Sequence, residues 1–253
     1  MNQDELVQII EKARIDGSTI LNLNDKGLES LPPEIGDLTN LTQLDLSRNQ
    51  LTALPARIGN LTYLTGLYLA SNQLTTLPRE LGYLTRLTRL YLADNQLTEL
   101  PREIGELTSL VILSLEQNHL TALPPQIGNL GGLTYLGLSD NQLKVLPQEI
   151  GNLTNLTLLD LSANDLTALP PEIGNLTNLT QLTLQRNDLT ALPPEIVNLI
   201  NLTLLDLEWN RLTELPSGLS HLGNLETLGL AANSLMVMTP EMELLKDRGV
   251  AFF

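Results

Sequence analysis

Cysteine is absent from all 253 residues, which excludes disulfides, thiolate metal sites and a cysteine nucleophile. Aromatic residues are scarce: two Phe, five Tyr and one Trp. Leucine therefore supplies nearly all the apolar bulk, and 42% hydrophobic content is ample for a core. Bases are also few, 14 Lys and Arg against 29 Asp and Glu, for a net charge of −15. That balance favours solubility and argues against nucleic acid or an anionic membrane as partner. No apolar run approaches the roughly 20 residues of a membrane span. Residues 1–17 lack the basic start and apolar stretch of a secretory leader. These absences point to a soluble, cytoplasmic protein.

What is present is a repeat. Asn49, Asn72, Asn95, Asn118, Asn141, Asn164, Asn187, Asn210 and Asn233 follow one another at intervals of 23 residues. Prolines recur at the same interval from Pro32 to Pro216. Around each asparagine runs L-x-x-L-x-L-x-x-N-x-L, as in Leu179, Leu182, Leu184, Asn187 and Leu189. One earlier copy, Leu21, Leu23 and Leu28, carries Lys26 in the asparagine slot. Ten turns thus succeed one another without an inserted or deleted residue, the sign of a repeat architecture.

Each position of the module has a physical reason. Leu182 and Leu184 alternate with Gln181, Thr183 and Gln185, the period of two that lines one face of a short strand. A constant period lets successive strands stack in parallel at about 4.8 Å, with the leucines in continuous columns. The asparagine carries both donor and acceptor, so a ladder of asparagines can satisfy backbone groups that the inward bend strands. Proline suits an extended return segment. Gly174 and its equivalents are expected to permit a tight turn, although Val197 and Ser220 interrupt that column. At the ends, residues 4–16 place Leu6, Ile9, Ile10 and Ala13 on one helical face before Gly17. Thr239, Pro240 and Gly249 bracket a second helix, and Val250, Phe252 and Phe253 follow as an apolar strand.

These modules resemble the leucine-rich repeat family. The 23-residue LPxxIGxLxxL form is similar to intracellular plant Ras-group repeats and to the repeat regions of bacterial Roco proteins, and the opening MNQDELVQIIEKARIDG resembles the start of such bacterial chains. The resemblance implies an α/β repeat fold: a right-handed curved solenoid with a parallel concave β-sheet, a convex side of loops or short helical turns, and helical caps. The expected organisation is a capping helix in 1–17, ten turns in 18–238, and a C-terminal cap of helix plus strand in 239–253. The family's usual role is to bind a protein on the concave sheet.

No catalytic constellation emerges. His119 and His221 lie more than four repeats apart, no serine has a GxSxG setting, and no GxxxxGK[ST] phosphate loop occurs. Seven Asn-Leu-Thr triplets, from Asn40 to Asn201, match a glycosylation acceptor, but copying of one module accounts for them. Asp160 and Asp206 share a column two repeats apart, about 9.6 Å, too far to hold one calcium ion directly. They read as solvated charge. No cofactor, metal or small-molecule substrate is implied.

The variable positions carry the remaining signal. The outward columns begin at Gln43, Asp45, Ser47 and Arg48 and recur every 23 residues. In them stand Tyr68, Arg89, Tyr91, Ile112, Glu116, Tyr135, Leu158, Asp160, Arg186, Leu204, Asp206 and Trp209, which form the candidate partner-binding face. Tyr and Trp are enriched at binding hot spots, and contiguous exposed apolar area marks contact surfaces; cross-strand packing of Tyr68 on Tyr91 is the plain alternative. Across the four columns eight acids (Asp25, Asp45, Asp94, Glu116, Asp140, Asp160, Asp206, Glu208) face three bases (Arg48, Arg89, Arg186). A protein or peptide partner with basic and aromatic features follows. The leading expectation is a non-catalytic interaction module. The alternatives are the repeat region of a larger Roco-like GTPase and a consensus-like or engineered scaffold without a native partner.

Overall fold

The computed structural model describes residues 1–235 and 239–253; the last three residues of the expected repeat region, 236–238, lie outside the described residues. The chain divides into two compact units, Met1–Leu120 and Thr121–Phe253.

In the first unit, helix α1 (Gln3–Ile15) precedes strands β1 (Ile20–Asn22), β2 (Gln43–Asp45), β3 (Gly66–Tyr68), β4 (Arg89–Tyr91) and β5 (Ile112–Ser114). Each strand pairs in parallel with the next, residue for residue at the 23-residue interval, as in Leu67 opposite Leu90. The second unit contains β6 (Tyr135–Gly137), β7 (Leu158–Asp160), β8 (Gln181–Thr183), β9 (Leu204–Asp206), β10 (Thr227–Gly229), α2 (Pro240–Asp247) and β11 (Ala251–Phe252). The same parallel pairing runs from β6 to β11. The alternating leucines are the core: Leu182 and Leu184 are fully buried, and burying one such side chain is worth about 1.5–3 kcal/mol.

Between strands the chain returns through short 3-10 turns, such as Pro33–Asp37 and Pro171–Asn175. Their sequence logic is a period of three. Ile35 N–H donates to Pro32 carbonyl, Leu38 to Ile35, and Leu41 to Leu38, at 2.9–3.2 Å. With three residues per turn, positions i and i+3 eclipse, so Ile35, Leu38 and Leu41 all point into the core. The proline ahead of the five-residue turns, such as Pro170 at φ −68°, has no donor to lose.

The glycine of this segment has a different reason from the expected tight turn. None of Gly36, Gly59, Gly82, Gly128, Gly151 and Gly174 has a positive φ. Instead a Cβ on Gly174 would lie 2.5 Å from the Glu195 carbonyl oxygen, and the same clash recurs at Gly36, Gly59 and Gly151. Successive 3-10 turns pack backbone against backbone there, and only glycine leaves room. Val197 takes the slot where the following turn is shortened to Leu219–His221 behind Gly218 at φ 89°.

The asparagine slot works as a bracket between neighbouring turns. The Asn187 amide donates to Leu184 carbonyl in its own turn and to Leu161 carbonyl in the preceding one, both at 2.9 Å. Its oxygen accepts from Leu166 N–H at 3.0 Å. Before each asparagine, and before Lys26 in the same slot, stands a residue in the left-handed region, φ 50–57°, from Asp25 and Arg48 through Trp209 to Ala232. This column was expected to continue the outward face of the strand; it is the bend itself.

Helix α1 begins with a capping box, Asn2 accepting from Glu5 N–H while the Glu5 carboxylate accepts from Asn2 N–H. Leu6, Ile10 and Ala13 are buried, whereas Ile9, expected on the same face, is 37% exposed and lies at the rim. The Lys26 N–H donates to Asn49 and its carbonyl accepts from the Met1 amino group. The lysine slot is therefore closed from both sides without an asparagine of its own. Thr239 caps α2 through Met242 N–H, Gly249 follows at φ 87°, and Val250 is buried.

Candidate functional site

In the first unit the sheet face is organised by Tyr68 and Tyr91, which end neighbouring strands β3 and β4. Their rings stack with centroids 5.3 Å apart and planes 10° from parallel. Gly66 opens the floor beneath: a Cβ there would come within 3.1 Å of the Tyr68 ring. Both tyrosines remain half-buried, so the stack forms an apolar platform with one side open. Arg89 and Ile112, paired across β4 and β5, flank it and are also half-buried. The Arg89 Nε is sealed from water and meets no acceptor. Glu116 accepts from the Ser114 hydroxyl.

In the second unit Tyr135, Leu158 and Leu204 occupy the first strand position and are half-buried. Asp160 is tied down: its Oδ1 accepts from Ser162 N–H at 3.1 Å, the Ser162 hydroxyl at 2.7 Å and the Thr183 hydroxyl at 2.5 Å. Asp206, expected to be solvated, is only 6% exposed. Its carboxylate lies over Gly229, where a Cβ would be 2.5 Å from Oδ1 and 2.8 Å from the Phe253 ring. Burial pushes the Asp206 carboxyl up; the Glu208 backbone N–H opposes this, and the Asp160 charge adds to it. Trp209 is 60% exposed at φ 54° and, with Arg186, Asp165 and Asp188, lines a shallow hollow of about 410 Å³. A left-handed tryptophan is an uncommon arrangement that local sterics disfavour.

Two surface features escaped the sequence reading. Tyr63 and Tyr83 stand on the 3-10 turn side, 52% and 63% exposed, with the Arg86 guanidinium 4.5 Å over the Tyr63 ring. The Asn-Leu-Thr triplets also have a structural role. The Asn178 amide donates to Thr154 carbonyl and the Thr180 hydroxyl to Thr157 carbonyl, each reaching the preceding repeat. Asn155 with Thr157, and Asn201 with Thr203, repeat this pair of bonds. The recurrence of the triplets at Asn155, Asn178 and Asn201, 23 residues apart, was the available signal. His119 and His221 are exposed residues, one in each unit. Among the described residues no group of three or more His, Asp or Glu could hold a metal ion. Nor is any helix long and apolar enough to cross a membrane.

The sequence matches the family described as leucine-rich repeat region over residues 20–95 and 126–189, and leucine rich repeat over 177–235. A comparison with curated proteins returned no significant match. Among solved structures, a leucine-rich repeat protein of Leptospira interrogans is 37% identical with a TM-score of 0.82, covering 96% of this chain and 68% of that one. The ectodomain of the Arabidopsis thaliana membrane receptor kinase GASSHO1/SCHENGEN3, solved in complex with CASPARIAN STRIP INTEGRITY FACTOR 2, is 36% identical with a TM-score of 0.83. The plant peptide hormone receptor RGFR1, in complex with RGF2, is 35% identical with a TM-score of 0.78. The match covers 93% and 88% of this chain but only 29% and 38% of those two receptor chains. With its 23-residue period, parallel strands and asparagine brackets, the chain belongs to the leucine-rich repeat family and has its solenoid fold.

Proposed function

We propose that this protein is a non-catalytic interaction module that binds a protein or peptide on its sheet face. The observation that carries the reading is the Tyr68–Tyr91 stack, an aromatic platform seated over Gly66 on a face where small polar groups would satisfy the fold. Large, rigid aromatic side chains with one side open are the usual anchors of binding surfaces. In the second unit Tyr135, Leu158 and Leu204 add apolar area on the sheet face, with Trp209 exposed at the adjoining bend, while the half-buried Asp160 and Glu208 favour basic groups there. The complexes formed by the two plant receptors support a protein or peptide ligand. The nearer likeness to Ras-group and Roco repeats rests on the LPxxIGxLxxL module itself.

The test is selection of a displayed random-peptide library on the whole chain, followed by affinity measurements on variants. Tyr91→Ala should weaken the selected peptides by about 2 kcal/mol or more with the fold retained. Tyr83→Ala, on the 3-10 turn side, should leave them unchanged. The reverse pattern removes the sheet-face assignment.

A further inference from the structure

Resting on the sheet-face reading, we infer that Arg89 is a specificity residue: it receives the carboxylate of an Asp or Glu side chain within an extended, otherwise apolar segment of the partner. Among the described residues Arg89 stands apart from every other lysine and arginine, because all the others are exposed. Arg14, Arg57, Arg79, Arg102 and Arg211 each have a carboxylate partner. Arg248 donates to three backbone carbonyls and Arg86 lies over the Tyr63 ring. Arg48 and Arg186 are open to water. Arg89 alone combines partial burial with an Nε that has neither water nor an acceptor.

A half-buried guanidinium with an unmet donor and no carboxylate partner is costly, and an anion that reaches its accessible edge offsets part of that cost. The surroundings favour that exchange. Tyr68 and Tyr91 stack on one side of Arg89 and Ile112 stands in the next repeat, so an incoming ion pair forms in a low-polarity setting where it is strong. A planar guanidinium also suits the fork of a carboxylate.

The occupant is a side chain within a segment rather than a chain end. Apolar groups lie on both sides of Arg89, so a partner that reaches it covers the tyrosine stack in one direction and Ile112 in the other. The acid must also be isolated. Asp45 and Asp94 lie on the same unit, and the whole chain carries −15, so a run of acids is repelled. A lone Glu or Asp between aromatic or branched residues meets both conditions.

The experiment uses the intact chain and the random-peptide library, with two readouts. Selected sequences should be enriched in a single acid flanked by apolar residues. For the best peptide, Arg89→Gln and the peptide's own acid-to-amide change should each lower affinity about thirtyfold. Made together, they should lose little more than either alone, because each removes the same contact. Arg89→Lys should restore part of the affinity. Additive losses, or an Arg89→Gln effect under twofold, overturn the inference. If that happens while Tyr91→Ala still abolishes binding, the sheet-face reading stands and only the carboxylate is lost. Peptides indifferent to both residues, or no peptide at all, sink both. If Arg89→Gln does not melt cooperatively, the same cycle is run with Arg89→Met, which also removes the charge.

Discussion

The side-chain amide of Asn187 reaches back one full turn to the carbonyl of Leu161 at 2.9 Å, while its oxygen takes the N–H of Leu166 at 3.0 Å. One side chain thus satisfies backbone groups of two turns in a dry interior. Asn187→Ala should cost about 1–3 kcal/mol, the price of orphaning those groups. Asn233 makes the same set of bonds but is half-buried, so water can replace them in part. Asn233→Ala should cost distinctly less. Urea unfolding of the two variants decides it, and equal losses would show that burial is not what gives the bracket its weight.

The repeat glycines make the second prediction. Gly174→Ala drives a methyl to 2.5 Å from the Glu195 carbonyl and should destabilise by about 1–3 kcal/mol through overpacking. Gly131 has nothing within 4 Å of a new Cβ and no positive φ. Gly131→Ala should be neutral or stabilise by up to about 1 kcal/mol, because it stiffens the unfolded chain. Thermal melts of the pair separate close approach from any general need for flexibility.

At the left-handed bend the logic inverts. Ala163 sits at φ 50°, where an L-residue costs about 1–2 kcal/mol relative to the right-handed region. Glycine avoids that cost but loses more backbone freedom on folding. Ala163→Gly should therefore stabilise by about 0.5–1 kcal/mol. A lower melting temperature in the variant would contradict the strain argument.

Asp206 predicts a pH dependence. Its carboxyl is held above the ordinary value, chiefly by burial. The folded state therefore holds the proton more tightly than the unfolded state. The resulting stability is present below the unfolded pKa and is lost as pH rises through the folded one. Above the folded pKa Asp206 is charged in both states, and the desolvation cost is fully felt. Asp206→Asn keeps an oxygen for the Glu208 N–H and should raise the melting temperature at pH 7. That advantage should shrink as pH falls into the carboxylate range. An advantage that grows on acidification would reverse the assignment.

Much of this molecule is legible in a single repeat. Leu182 and Leu184 alternate, Pro32, Ile35, Leu38 and Leu41 advance by three, and Asn187 recurs at a constant interval. Those spacings are local geometry: a strand repeats every two residues and a 3-10 turn every three. An unbroken period then stacks like on like, so the leucine core and the asparagine bracket follow from letters alone. Tyr68 and Tyr91 could be placed on neighbouring strands for the same reason.

What remained hidden depends on atoms one or more turns away. Gly174 is glycine because of the Glu195 carbonyl, 21 residues later, not because of its own φ. Asp206 is buried because Gly229 lets the carboxylate lie flat and the Phe253 ring closes beside it. Asn178 and Thr180 look like parts of an acceptor triplet until their bonds to Thr154 and Thr157 are seen. The repeat period determined which residues stack. Only the packed structure decided how near their backbones come, and that distance separates a turn glycine from a contact glycine and a solvated acid from a buried one.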